Sequence, residues 1–136
     1  MTFNRTKLIN SICSIVLLSC SFLPTSIVDK IGVASVNAGI HTDVALFVAK
    51  NESNYNPFII GDMNIICSYG PNKGKPVRAR GLYQITDCSH PEITDAQAFD
   101  ADWSIAWAIP RLADYKTCRK EWTTCRWYYL PELAEK

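Results

Sequence analysis

Glu52 closes an apolar run, Val44-Ala-Leu-Phe-Val-Ala49, and opens the string Glu52-Ser53-Asn54-Tyr55-Asn56-Pro57. Val44, Phe47 and Val48 recur at the three- and four-residue spacing of one helix face, and Glu52 lies four residues beyond Val48 on that face. A carboxyl group carried on a hydrophobic face is costly to ionise, and the partial negative charge at a helix C-terminus adds to the cost. Both effects keep the proton on, which is the state a general acid must hold. Cleavage of a glycosidic bond demands an acid of this kind.

About thirty residues later stands Gly81-Leu82-Tyr83-Gln84-Ile85. In this order the two strings resemble the lytic transglycosylase and goose-type lysozyme group, over Ala45 to about Leu112. The resemblance implies that Glu52 is the acid and that Ser53 helps orient it and the N-acetyl group of the substrate. It implies that Gly81 lets the backbone approach the sugar and that Gln84 hydrogen-bonds within the cleft. Tyr83 occupies a position where Met is frequent in the group, and adds a stacking face and a hydroxyl for a sugar. Leu82 and Ile85 read as core, and Ser53 also fits a local hydrogen bond to the backbone. Many lytic transglycosylases carry a later Ala-Tyr-Asn-x-Gly motif whose tyrosine approaches the acid. This chain lacks it; the nearest tyrosines are Tyr115, in Ala113-Asp114-Tyr115, and Tyr128, in Trp127-Tyr128-Tyr129.

The reaction turns on whether a second carboxylate attends the first. Inverting hydrolysis places a base roughly 6.5–9.5 Å from the acid and retention places a nucleophile at about 5 Å, whereas a transglycosylase uses neither. Asp62 and Asp87 are the candidates, with Glu92 near the second string; each also fits a turn or cap. Among the aromatics, Trp103 and Trp107 at helical spacing read as core, and Trp122, between Cys118 and Cys125, reads as a cleft residue.

The elements that must position these groups follow from the punctuation of the chain. Thr42 or Asp43 can cap the Glu52 helix, and Asn56-Pro57 stops it. From Phe58 to Arg80, glycines and prolines break two short apolar runs into a hairpin or long loop, which in the resembling families walls the cleft. Thr94-Asp95 can cap a short helix through Phe99. Asp102 or Ser104 can cap a stretch from Trp103 to Tyr115 that Pro110 must kink or divide. The expected fold is a mainly α (α+β) lysozyme-like domain with a hairpin or loop wall. A length of 136 residues, 48% apolar and 20% charged, suits one globular core.

Arg5 and Lys7 precede an apolar stretch from Leu8 to Leu23, the pattern of an export signal, and Val36-Asn37-Ala38 fits a small-residue cleavage site. The expected division is a signal peptide over 1–38 and the domain over 39–136. Leu17-Leu18-Ser19-Cys20 also resembles a bacterial lipobox, which would anchor the protein by a lipid on Cys20. Either route ends in the periplasm or outside the cell, where Cys67, Cys88, Cys118 and Cys125 can oxidise. Four cysteines allow three pairings, and the local spacing favours Cys67–Cys88 with Cys118–Cys125. With no Cys-x-x-Cys and only His41 and His90 as histidines, a zinc site is not expected.

A net charge of +1 over the whole chain, with acids and bases nearly balanced after residue 38, gives no overall electrostatic footprint for nucleic acid or an anionic membrane. The resemblance implies a monomeric enzyme without a cofactor, acting on peptidoglycan glycan strands between N-acetylmuramic acid and N-acetylglucosamine. Lytic transglycosylase is the first expectation; a lysozyme-type hydrolase and a non-catalytic glycan-binding protein are the alternatives. The small size suits a local space-making role beside a secretion or conjugation apparatus.

Overall fold

A computed structural model describes residues 26–131. The apolar stretch from Leu8 to Leu23 expected to form an export signal, and the expected lipobox at Cys20, lie outside that range. Helix α1 (Ile27–Ala38) starts on Ser26, whose hydroxyl accepts from the Asp29 N–H, and ends on Gly39 in the left-handed conformation. Its Ile31 is fully buried against α2 (Thr42–Ser53), which contributes Val44, Ala45, Val48 and Ala49 to the same core. The boundary expected after Ala38 therefore falls between two helices packed on each other. Cleavage there would strip a core element from the domain.

Helix α2 begins with His41 at its N-cap, without a side-chain cap, so Thr42 and Asp43 lie inside the first turn rather than ahead of it. It ends at Ser53, four residues before Pro57. Asn54 and Tyr55 turn left-handed at φ 51° and 63°, and the Asn54 N–H returns to the last-turn carbonyls of Ala49 and Lys50. Asparagine tolerates this conformation and ends the helix before the proline can.

A three-stranded antiparallel sheet follows, in the order β1 (Ile60–Gly61), β2 (Ala79–Arg80), β3 (Ile85–Thr86). Ile60 pairs with Arg80 and Ala79 with Thr86. The long arm between β1 and β2 is closed by the Ile66–Pro76 bridge and tied to the body by the Cys67–Cys88 disulfide. The tight connection from β2 to β3 is Gly81-Leu82-Tyr83-Gln84 itself.

Thr94 opens α3 (Asp95–Phe99) with a reciprocal cap to Gln97, as its position predicted. Asp100, rather than Asp102 or Ser104, caps α4 (Ala101–Ala108). Pro110 then converts the continuation into a 3₁₀ turn, Ile109–Leu112, because it has no N–H to extend the α ladder. Helices α5 (Tyr115–Glu121) and α6 (Thr124–Tyr129) are clamped by the Cys118–Cys125 disulfide. The fold is thus mainly α with a small sheet and two disulfides in the expected pairing.

Candidate active site

Glu52 occupies the penultimate position of α2 and is half-buried. Its Oε1 accepts a 2.7 Å hydrogen bond from the hydroxyl of Thr124, the first residue of α6. Burial pushes the Glu52 carboxyl above the usual carboxylate range, the Thr124 hydrogen bond pulls it back, and the negative charge of Asp62 raises it again. The group opens on a cleft of about 360 Å³ that Asp62, Gln84, Glu121, Trp122, Thr124 and Trp127 also line. Helix α2, Asp62 just after β1, Gln84 and Thr86 at β3, and the α5–α6 corner each supply part of that wall.

The second string holds the acid in place largely from behind. Gly81 has φ 72°, and a Cβ there would overlap the Ala98 carbonyl oxygen, so glycine is required by the chain's own close packing rather than by approach to a sugar. Tyr83, expected to offer a face to the ligand, is 0% exposed and donates its hydroxyl to the Ala45 carbonyl of α2. Trp122 lines the cleft as expected, but is nearly as buried. It is 4% exposed, and its indole N–H donates to the Tyr83 carbonyl at 2.6 Å, which leaves only an edge at the cleft. Both large rings are spent on joining the hairpin turn to the helices.

Ser53 is buried as well. Its hydroxyl donates to the Leu82 carbonyl at 2.7 Å, with the Ala49 carbonyl as second acceptor at 3.1 Å, and it does not line the cleft. The local backbone role holds, and it fastens the end of α2 to the hairpin turn. Gln84 does reach the cleft. It sits at φ 51°, donates Nε2 to the Gly81 carbonyl at 3.0 Å, and fits because Gly61 opposite has no Cβ. Left-handed backbone at Gln84 and at Asp62, φ 61°, places two non-glycine outliers in one cleft wall.

The candidate second carboxylates separate. Asp62 lines the cleft and acts on the Glu52 proton. Asp87 does not: its Oδ1 accepts from the Arg78 N–H at 2.9 Å, locking the end of the hairpin, and it is absent from the cleft wall. Glu92 is exposed beside the His90 ring, also outside it. Glu121, which sequence reasoning passed over, enters the cleft, yet its oxygens are engaged by His90 Nε2 at 2.8 Å and Arg111 Nε at 3.7 Å. Asp62 is left as the cleft carboxylate without a cationic partner among the described residues.

Neither Tyr115 nor Tyr128 lines the cleft. Tyr115 packs on Tyr129, and Tyr128 packs on Phe47 and Tyr129. Thr124 takes the contact with Glu52 instead, held by the Cys118–Cys125 bridge that ends one residue later. The exposed aromatic of the cleft is Trp127, 42% exposed. The disulfide spacing marks this corner as a local clamp, and nothing in the sequence shows that it folds back onto α2. Comparison of the chain with protein-family models, with curated proteins and with solved structures finds no match.

Proposed function

We propose that the protein cleaves the glycan strand of peptidoglycan, with Glu52 as the single catalytic acid–base of a lytic transglycosylase. The observation that carries this reading is a half-buried Glu52 whose carboxyl is pushed above the usual carboxylate range by burial, opening on a cleft between Gln84 and Trp127. Glu52 donates its proton to the glycosidic oxygen as the bond to the sugar C1 breaks, and the neighbouring N-acetyl group supports the developing cation. The ionised Glu52 then takes the proton of the sugar's own 6-hydroxyl as that oxygen closes on C1. The products are a free 4-hydroxyl on one fragment and a 1,6-anhydro ring on the other.

Thr124 supports both halves of this cycle. As a donor to Oε1 it fixes the rotamer of the acid, and it steadies the carboxylate that forms midway. Trp127 supplies an exposed ring on which a sugar face can stack. A hydrolase reading keeps one specific support: Asp62 shares the cleft and has no cationic partner among the described residues, so it could activate water. Mass spectrometry of fragments released from sacculi decides between them. Transglycosylase products end in 1,6-anhydromuramic acid; reducing ends that disappear in Asp62→Asn would replace that reading with hydrolysis.

A further inference from the structure

The segment from Phe58 through β1 and into the arm between β1 and β2 carries the largest run of exposed apolar side chains among the described residues. Phe58 is 74% exposed, Ile65 and Ile66 are each 56% exposed, and Ile60, Met63 and Tyr69 are exposed beside them. Soluble surfaces rarely gather so much apolar area in one stretch without a use for it. The arm is also held in shape. Val77 donates its N–H to the Ile65 carbonyl, Ile66 bridges Pro76, and Cys67 is tied to Cys88, so little ordering remains to be done on binding.

Three features of the arm indicate what covers it. Ile65, in the bend that follows β1, and Ile66, at the bridge to Pro76, are adjacent and both more than half exposed. Lys73 and Lys75, exposed at the turn of the same arm, are in no salt bridge among the described residues. The only acid between Phe58 and Arg80 is Asp62, and it lines the cleft. Apolar side chains with an aromatic at either end and lysines at the margin make up the composition of a segment that rests in the interface of an anionic bilayer.

We propose that this arm is a lipid-surface docking site that seats the protein on an anionic membrane with its cleft beside the bilayer. Phe58, Ile65 and Ile66 enter the acyl boundary, Lys73 and Lys75 meet the lipid phosphates, and Asp62 stays hydrated in the cleft. The inference does not rest on the glycan chemistry, and it would stand if the cleft did something else. Whatever the cleft acts on would then lie at the membrane surface.

The test is co-sedimentation of the full, oxidised chain with vesicles of phosphatidylglycerol and phosphatidylcholine, beside Ile65→Ser/Ile66→Ser and Lys73→Gln/Lys75→Gln variants of the same chain. These side chains are exposed, so the variants should keep the wild-type unfolding midpoint, and that is checked first. Loss of two half-exposed isoleucines should weaken vesicle partitioning by roughly tenfold. The lysine pair should weaken it on anionic vesicles and not on phosphatidylcholine alone. Amide exchange should slow over residues 58–69 on vesicle addition. Partitioning indifferent to Ile65→Ser/Ile66→Ser, or absent altogether, would overturn the proposal. So would protection of 58–69 that follows protein concentration rather than lipid, which would give the arm to a second copy of the chain.

Discussion

Ile31 measures whether α1 belongs to the domain. Its side chain is fully buried against α2, and truncation to alanine leaves a cavity that close-packed neighbours fill only in part. Such a change costs about 2–5 kcal/mol, against a total of roughly 5–15 kcal/mol for a domain of this kind. At about 3 kcal/mol the melting temperature should fall by about 10–20 °C. With a urea slope near 2 kcal/mol per molar, the midpoint should fall by about 1.5 M. Removing all of α1 also takes Ser35, whose hydroxyl closes on the Ile31 carbonyl, and the partly buried Ile27 and Ala34. Residues 39–136 alone should then lose the cooperative transition that residues 26–136 show. The assay is urea unfolding followed by tryptophan fluorescence and far-ultraviolet circular dichroism. A loss below about 1 kcal/mol for Ile31→Ala, with residues 39–136 unfolding at the same midpoint as residues 26–136, would refute the reasoning.

Glu52→Gln should raise the melting temperature at pH 7 and leave it unchanged below about pH 4. The folded chain holds the Glu52 proton more tightly than the unfolded chain, so stability falls as pH rises from the ordinary carboxylate range through the raised value, and the penalty is complete above it. Thr124→Val removes the donor that pulls the Glu52 carboxyl down, so the alkaline limb of the pH–activity profile should move upward and maximal activity should fall, while Thr124→Ser restores both. Gly81→Ala should cost at least about 2 kcal/mol in urea unfolding, because strain at positive φ adds to overlap with the Ala98 carbonyl. Replacing Cys118 and Cys125 by serine should cost about 2 kcal/mol, and replacing Cys67 and Cys88 about 3 kcal/mol, from the lengths of the loops they close. Activity should nonetheless fall more for the first pair, which holds Thr124 against the acid.

Local chemistry made much of this legible in the sequence. The spacing of Val44 and Val48 gave the helix that carries Glu52, and the Thr94–Gln97 reciprocity and Pro110 behaved as their chemistry requires. Short loops favoured the observed disulfides. What stayed hidden was the direction in which amphipathic side chains face. Tyr83 and Trp122 carry both a polar atom and a large apolar ring, and such residues satisfy a core as readily as a cleft; only the carbonyls of Ala45 and Tyr83 decide. Thr124 was invisible for a different reason. Its partner lies 72 residues away, joined by the packing of α6 on α2 and by no pattern in the chain. The left-handed turn at Asn54 shows the same limit on a smaller scale, since Pro57 is the louder signal and Asn54 acts first.

Solubilisation of glycan from purified sacculi by the wild-type chain and by Glu52→Gln, each at matched concentration and confirmed fold, tests the central claim most directly. Loss of a positioned acid typically costs on the order of 10²–10⁴ in rate, and Glu52→Gln should show a loss of that size. Thr124 can still donate to the glutamine oxygen, so the cleft should keep its shape and its affinity for sacculi. Glycan release by Glu52→Gln at the wild-type rate, or none by the wild type, would contradict Glu52 as the acid.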